Sequence, residues 1–441
     1  MNILFISLGC DKNLVDTEYM LGLLASKGHS MVDDEESAEV IVINTCCFIN
    51  DAKEESIQYI LEMAELRKTN KIKALLVTGC LAERYKDEVL QEIPEVDALM
   101  GTTSYDKILE VLDEVLVGKQ VTRTEDINVL PDIKAKRLIT TGGHFAYLKI
   151  AEGCDKHCTY CIIPKVRGAY RSVPMEKLLE EARELANQGV KELILVAQET
   201  TLYGKDIYGE KRLPQLLREL CKITTLRWIR ILYCYPEEVT PELIMTIKEE
   251  DKICNYLDLP IQHASDAILK KMGRKTSKQE LKQTIQALRN EIPDIALRTT
   301  LITGFPGETQ EQHEELMEFV DEMEFDRLGV FTYSPEEDTP AALMENQVTE
   351  ECKEERKEEI MELQQDIAFD MAQNMKGREL LVMIEGKVTD ENAYVARTYK
   401  DAPNVDGLIF VQTAEELMSG DFVKVKVTGC LEYDLIGEII S

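Results

Sequence analysis

Gly153-Cys154-Asp155-Lys156-His157-Cys158-Thr159-Tyr160-Cys161 follows an apolar run at residues 145–150, and its C-x3-C-x2-C spacing sets three thiols on one short loop with no fourth cysteine nearby. Three thiolates on such a loop wrap one corner of a cubane iron–sulfur cluster and leave one iron open to bind substrate. A zinc site needs a fourth ligand, His157 or one of the few other histidines among five in the chain. A redox C-x2-C pair is the other alternative, and it has no use for Cys154.

Outward from this loop, six apolar runs read as strands: residues 145–150, 193–197, 228–232, 256–259, 296–302 and 328–333. Amphipathic stretches at 175–188, 213–223, 241–250, 278–290 and 310–323 separate them and read as helices. Six such units without a seventh give a partial barrel, open on one side, whose chemistry sits at the carboxyl ends of its strands. Those ends carry Gln198-Glu199-Thr200-Thr201, Tyr233, Gln262-His263 and Gly304-Phe305-Pro306-Gly307-Glu308-Thr309. The glycines allow close backbone approach to a ligand, although GFPG alone is also an ordinary tight turn. His263 reads as a structural histidine. Lys270, Lys271, Arg274 and Lys275 could meet a carboxylate, but a solvated helix end is the simpler reading.

Upstream, apolar runs at 3–8, 40–43 and 74–77 alternate with helical patterns at 14–27, 54–69 and 81–92, the order of a doubly wound parallel sheet. Each run leads into a cysteine: Cys10, Cys46 and Cys80. In an open parallel sheet the carboxyl ends of the strands share one edge, so these thiols should converge on one crevice. Buried free cysteines are the bland alternative. Cys47 offers a fourth ligand and keeps zinc open, but neighbouring side chains in extended backbone point opposite ways, which favours Cys46.

Downstream, residues 350–373 form a Glu- and Lys-rich helical connector with a solvated face, carrying Ile360, Leu363, Ile367 and Met371 on one side. Short alternating runs at 380–384, 393–398, 408–411, 422–428 and 432–439 then suggest a five-stranded OB-like barrel. Residues 377–441 have 6 basic against 12 acidic residues, which disfavours phosphate binding and favours a basic protein partner.

The whole chain agrees with this. It has 441 residues with 51 Lys and Arg against 82 Asp and Glu, a formal charge of −31. The length suggests several domains, and the acidity repels phosphate backbones and anionic membranes. Twelve cysteines are too few for a disulfide scaffold, and no stretch is long and apolar enough for a membrane span. MNILFISLGC lacks the basic start of a leader, so a strand and a cytoplasmic location are expected.

The 154–161 loop resembles that of the radical S-adenosylmethionine (SAM) enzymes, which carry this spacing on the first strand loop of a partial (βα)6 barrel. The resemblance implies a cluster on Cys154, Cys158 and Cys161 whose open iron chelates SAM, with Tyr160 beside the adenine and Gln198, Gln262, Gly304 and Pro306 along the cofactor. Over nearly its full length the chain is similar to the methylthiotransferases, with a methylthiotransferase N-terminal domain at 1–125, a linker at 126–139, the barrel and connector at 140–373 and a TRAM domain at 374–441. VAQETTLYGKD (196–206), LYCYP (232–236) and VARTYKDAPNVDG (395–407) resemble the branch that modifies ribosomal protein twelve of the small subunit at the β-carbon of an aspartate. The tRNA-modifying branch usually has Gln-Asn-Val after the second barrel strand and a more basic TRAM domain, and neither is present.

The same resemblance implies a second [4Fe-4S] cluster on Cys10, Cys46 and Cys80 as the sulfur site. Two SAM molecules per turnover are implied, one donating methyl and one yielding a radical, together with an electron donor and a sulfur source as partners. A tRNA methylthiotransferase and a non-catalytic zinc-binding assembly factor are the alternatives.

Overall fold

The computed structural model describes residues 1–133, 136–389 and 391–440. Lys134 and Ala135 of the expected linker, and Asp390 and Ser441 of the terminal module, lie outside the described residues.

The first unit is a six-stranded parallel sheet of β1 (Asn2–Ser7), β2 (Ser30–Val32), β3 (Val40–Thr45), β4 (Ala74–Gly79), β5 (Ala98–Met100) and β6 (Val121–Arg123). Its order, β2-β1-β3-β4-β5-β6, reverses between β1 and β3. That switch point is where open sheets form a crevice. Helices α1 (Asp11–Ser26), α2 (Asn50–Lys68), α3 (Cys80–Glu92) and α4 (Ile108–Leu116) cover both faces. Strand alternation explains the apolar runs. Leu4, Ile41, Ile43, Leu75 and Val77 pack with Ile60 and Met63 of α2, while Ile3, Val40, Val42 and Leu76 pack with Met20 and Leu24 of α1 and with Val111 of α4.

The barrel begins at β7 (Phe145–Lys149). A two-residue ladder of β8 (Ala151–Glu152) with β9 (Arg171–Ser172) frames the cysteine loop and a short helix, α5 (Ile163–Arg167). Then follow α6 (Met175–Asn187), β10 (Glu192–Val196), α7 (Lys205–Tyr208), α8 (Leu213–Cys221), β11 (Trp228–Ile231), α9 (Pro241–Glu249), β12 (Tyr256–Asp258), α10 (Asp266–Lys271), α11 (Lys278–Glu291), β13 (Ala296–Thr303), α12 (Gln310–Met323) and β14 (Arg327–Thr332). The strands pair in parallel as β7-β10-β11 and β12-β13-β14, and the bridge between Ile229 and Ile253 joins the two halves. All six expected barrel strands and their helices are present, displaced by a residue or two at their ends.

Helix α13 (Glu350–Asn374) follows, but it is less solvated than its charges imply. Lys353 and Arg356 are buried: the Lys353 ammonium donates to the Tyr333 carbonyl at 2.9 Å and meets Glu350 at 2.6 Å. Aliphatic stems let such residues cover apolar surface while their charged ends find partners. Strands β15 (Glu379–Lys387), β16 (Ala393–Thr398), β17 (Ile409–Gln412), β18 (Phe422–Leu431) and β19 (Asp434–Ile439) close as a barrel, β15-β16-β17-β19-β18.

Two polar joints hold the units together. Within the expected linker, Arg137 is buried on Glu18 at 3.0 Å and Glu181 at 2.8 Å and donates to the Tyr147 carbonyl at 2.6 Å. At the other end Glu192 of β10, fully buried, meets Arg230 of β11 at 2.8 Å and Arg397 of β16 at 2.6 Å. Burial alone raises the Glu192 pKa, but Arg397 and then Arg230 hold its carboxyl below the ordinary range.

Replacing Glu192 with Gln leaves the buried Arg230 without its anion and Arg397 with Glu385 alone, and should cost about 3–5 kcal/mol. The expected readouts are a lower urea midpoint and faster proteolysis between α13 and the terminal barrel. Because the native pKa is depressed, the parent's advantage over Glu192→Gln should be complete above the ordinary glutamate range and fade as pH falls through the native value.

Candidate functional site

The strand register brings the first three thiols together. Strands β3 and β4 pair in parallel up to Thr45 opposite Gly79, so Cys46 and Cys80 are the next residues on adjacent strands. Cys10 ends the loop after β1, on the other side of β3, and caps the N-terminus of α1. Gly9 beside it has φ of +86°, and a Cβ there would lie 2.6 Å from the Cβ of Cys46 and 2.9 Å from its sulfur. The loop therefore lies directly on Cys46, and glycine is required on both counts.

Cys47 is buried in the apolar cluster with Ile41, Ile43 and Ile60, which also holds Cys80, and burial followed by the neighbouring Cys80 raises its thiol as well. Burial, followed by the neighbouring Cys80 and Cys10, pushes the Cys46 thiol up to about 12. Burial also raises Cys80 although it begins α3, so desolvation outweighs the helix dipole there.

The second trio sits between β8 and β9. Cys154 and Cys158 are buried and Cys161 is half-buried. Burial raises Cys154 to about 11 and raises Cys161 as well. Several residues clamp this loop. The Gly153 N–H donates to Oε1 of Gln198 at 2.8 Å, and Nε2 of Gln198 donates to Glu152 at 2.7 Å. The Thr159 N–H donates to the Met272 carbonyl at 2.9 Å, and Asp155 accepts from the Tyr170 N–H at 3.0 Å. His157, Tyr233 and Gln262 have φ of +51°, +60° and +71°. Left-handed non-glycine residues gathered at strand ends are strain of the kind found at functional sites.

The other expected contacts sit on the same rim. Tyr160 makes an edge contact with Phe305, ring centroids 6.5 Å apart, so the loop meets the GFPG segment. Gly304 and Pro306 are buried. At Gly304 a Cβ would lie 2.1 Å from Cγ of Lys353, so packing within the chain accounts for that glycine. Gln198 has both ends of its amide spent on the loop. The Gln262 backbone bridges to β13. His263 is buried, and its Nδ1 accepts from the Ser265 N–H at 2.9 Å, which is a structural role. Burial raises Glu199 to about 7 against the pull of Lys156.

Arg274 corrects the reading of a solvated helix end. It is buried, stacks 4.3 Å from the Tyr235 ring centroid and contacts Glu237 at 3.3 Å. Lys270, Lys271 and Lys275 are exposed.

What the sequence reading missed lies between the two trios. Six residues after Cys161, Arg167 donates from Nε to the Cys80 sulfur at 3.3 Å, and its Nη1 meets Asp16 at 2.8 Å and Glu152 at 3.2 Å. Its Nη2 donates to Asn13. Lys149 meets Asp16 and also Glu152 at 2.8 Å. Asn13 donates from Nδ2 to the carbonyls of Leu8 at 3.0 Å and Thr45 at 2.9 Å, tying together the strand ends that carry Cys10 and Cys46. The available signal was charge out of place: Lys149 inside a run that reads as buried strand, Glu152 just beyond it, and Asp16 on the apolar side of a helix.

The donor chemistry fits iron–sulfur clusters. Each trio is made of thiols mutually close enough to shift one another electrostatically, within low-dielectric surroundings. Among the described residues no three His, Cys, Asp or Glu side chains form the ligand set of a single metal ion. A cubane does not require that, because each thiolate binds a different iron.

Comparisons with known proteins agree with this geometry. The Radical SAM superfamily model matches residues 148–320, the model described as uncharacterized protein family UPF0004 matches 2–101, and the TRAM domain model matches 377–440. The chain is 64% identical over 437 residues to the ribosomal protein uS12 methylthiotransferase RimO of Lachnoclostridium phytofermentans, covering 99% of each chain. It is 48% identical over 440 residues to the protein of the same name from Clostridioides difficile, covering 100% of this chain and 99% of that one. The radical SAM methyltransferase TsrM of Kitasatospora setae shares the fold, with a TM-score of 0.54 at 13% identity over 78% of this chain and 75% of that one.

Both adjacent cysteines are buried beside Cys80, and the choice of Cys46 over Cys47 has a direct test. After anaerobic reconstitution, Cys46→Ala should lose about half of the iron and sulfide, because one of two cubanes loses a ligand. Cys47→Ala should keep the parent's content. Equal losses in both variants would contradict the assignment.

Proposed function

The chain belongs to the ribosomal protein uS12 methylthiotransferases of the radical SAM superfamily, and from that premise we propose how its own residues serve the reaction. The enzyme uses SAM and iron–sulfur clusters to methylthiolate uS12. In our reading the target is the β-carbon of an aspartate. Cys154, Cys158 and Cys161 hold the radical-generating cluster, Cys10, Cys46 and Cys80 hold the auxiliary cluster, and Tyr160, Gln262 and the 304–306 segment border the cofactor. The unit boundaries 125, 140 and 374 belong to the same proposal.

The observation that carries this reading is Arg167. Arg167 ends the short helix α5 six residues after Cys161 and donates to the Cys80 sulfur at 3.3 Å, so one short segment and one arginine side chain join a cysteine of one trio to the sulfur of the other. An unactivated C–H bond has no proton acidic enough for a general base, so its hydrogen must leave as an atom, and sulfur must then be within reach. When bound, the clusters and SAM supply the radical and the sulfur site. The chain's residues do the rest. Gln198 and Asp155 hold the loop, the buried Cys154 and Cys158 exclude water, and Asn13 and Arg167 fix the strand-end trio relative to it.

An electron donor and a sulfur source complete the scheme. Among the described residues no helix is long and apolar enough to cross a membrane. We place the enzyme in the cytoplasm with its ribosomal substrate. The acidic terminal barrel suits that basic protein better than tRNA.

Anaerobic incubation of reconstituted enzyme with uS12, SAM, sulfide and a reductant, read by peptide mass spectrometry, should show one methylthio gain on an aspartate of uS12. Cys10→Ala should still cleave SAM to 5′-deoxyadenosine without that gain. An unmodified uS12 in the presence of SAM cleavage would overturn the substrate assignment.

A further inference from the structure

Lys12 is buried, with 6% of its surface exposed, and its ammonium lies 3.2 Å from the centroid of the Tyr233 ring. No carboxylate or carbonyl accepts from it among the described residues. Five other cations of the barrel already have carboxylate partners. Arg167 is on Asp16 and Glu152, Lys149 on the same two, Lys156 on Glu238 and Glu199, Arg274 on Glu237, and Arg298 on Asp258 and Asp406. The nearby Asp11 carboxylate is engaged by the hydroxyls of Tyr233, at 3.1 Å, and Tyr147. A buried ammonium without an anion is costly, and a cation–π contact offsets only part of that cost.

Its position gives the cost a purpose. Lys12 is the second residue of α1, two after Cys10, and Tyr233 follows β11 at the carboxyl edge of the barrel in a left-handed conformation. The ammonium therefore stands where the strand-end trio meets the barrel mouth. We infer that Lys12 is the binding residue for the side-chain carboxylate of the target aspartate. The inference rests on the reading that an aspartate β-carbon is modified. That carbon is one bond from the carboxylate, so a substrate with its β-carbon between radical and sulfur must present its carboxylate beside the same trio. A buried cation there accepts aspartate and penalises asparagine, which brings two N–H donors and no charge.

The test uses full-length enzyme reconstituted anaerobically, as the parent and as Lys12→Met and Lys12→Arg, each checked for iron and sulfide content. Without reductant, binding is measured for uS12 and for uS12 carrying Asn in place of the modified aspartate. The parent should prefer the aspartate form by about tenfold or more, the scale of a charge-assisted hydrogen bond. Lys12→Met should bind both forms within about twofold, while Lys12→Arg should recover most of the preference. With reductant, Lys12→Met should raise KM for uS12 more than it lowers 5′-deoxyadenosine formation. A Lys12→Met enzyme that keeps the parent's preference overturns the inference, as does one that loses SAM affinity instead. A parent that modifies no aspartate of uS12 overturns the underlying reading, a result visible before any variant is made. If Lys12→Met loses iron, Lys12→Arg decides: a cluster-loaded arginine enzyme without the preference also overturns the inference.

Discussion

The guanidinium of Arg167, held among Asp16, Glu152, Asn13 and the Cys80 sulfur, is the constraint on which the rest of the molecule depends. Its partners come from α1, from β8 and from the start of α3, and it sits at the end of the helix that follows the cysteine loop. With Lys149 the group contains two carboxylates and two cations, so it is close to neutral as a buried unit. Such a network is a poor source of stability, because well-packed apolar residues of similar volume often do as well. Its value lies in geometry: breaking any member leaves an uncompensated charge, so a relative shift of the first sheet against the barrel is penalised at once. Through Glu152 and Gln198 the same network reaches the Gly153 N–H at the head of the loop.

The two thiol trios are prepared differently for the same kind of ligand. In both, burial opposes ionisation, so metal binding must supply the positive charge that makes thiolates and must release their protons. In the strand-end trio a fixed cation already lies against one sulfur, and two helix N-termini point the same way. The 154–161 loop has Lys156 nearby, but that lysine is drawn off by Glu199 and Glu238. Hydrogen bonds to cysteine sulfurs are among the levers that set a cluster's reduction potential, and the structure holds one at each trio, from the Arg167 guanidinium to Cys80 and between the Tyr235 hydroxyl and Cys158 at 3.8 Å.

Much of this was legible in the sequence because it depends on period and spacing. Apolar runs of four to eight residues gave the long strands, the C-x3-C-x2-C spacing marked the loop trio, and the places of Cys10, Cys46 and Cys80 just after three strands marked the other. The three-residue strands β2, β5 and β6 were not legible, since Ser30–Val32 and Val121–Arg123 are too short to show a pattern and Ala98–Met100 reads as the tail of a loop. Charge misled in two places: Arg274 and Lys353 looked solvated from composition but are buried by contacts that come from distant segments. The strained backbones at Tyr233 and Gln262 carry no mark in residue type, because neither residue is one that favours a positive φ. Gly304 shows the converse, a residue read correctly as a close approach whose visible neighbour is Lys353.

The construction of the two sites also orders their dependence on the fold. The loop trio lies within eight residues, so its spacing alone identifies it. The strand-end trio exists only once β1, β3 and β4 are in register, because Cys46 and Cys80 become neighbours through the pairing of Thr45 with Gly79. A one-residue slip of β4 would turn Cys80 to the other face of the sheet. Asn13 ties the ends of β1 and β3 to each other, and the Arg167 contact to Cys80 forms only when the register of β4 and the docking are both correct. The strand-end trio is thus a property of the assembled molecule, and a segment of chain carrying only its cysteines would not contain it.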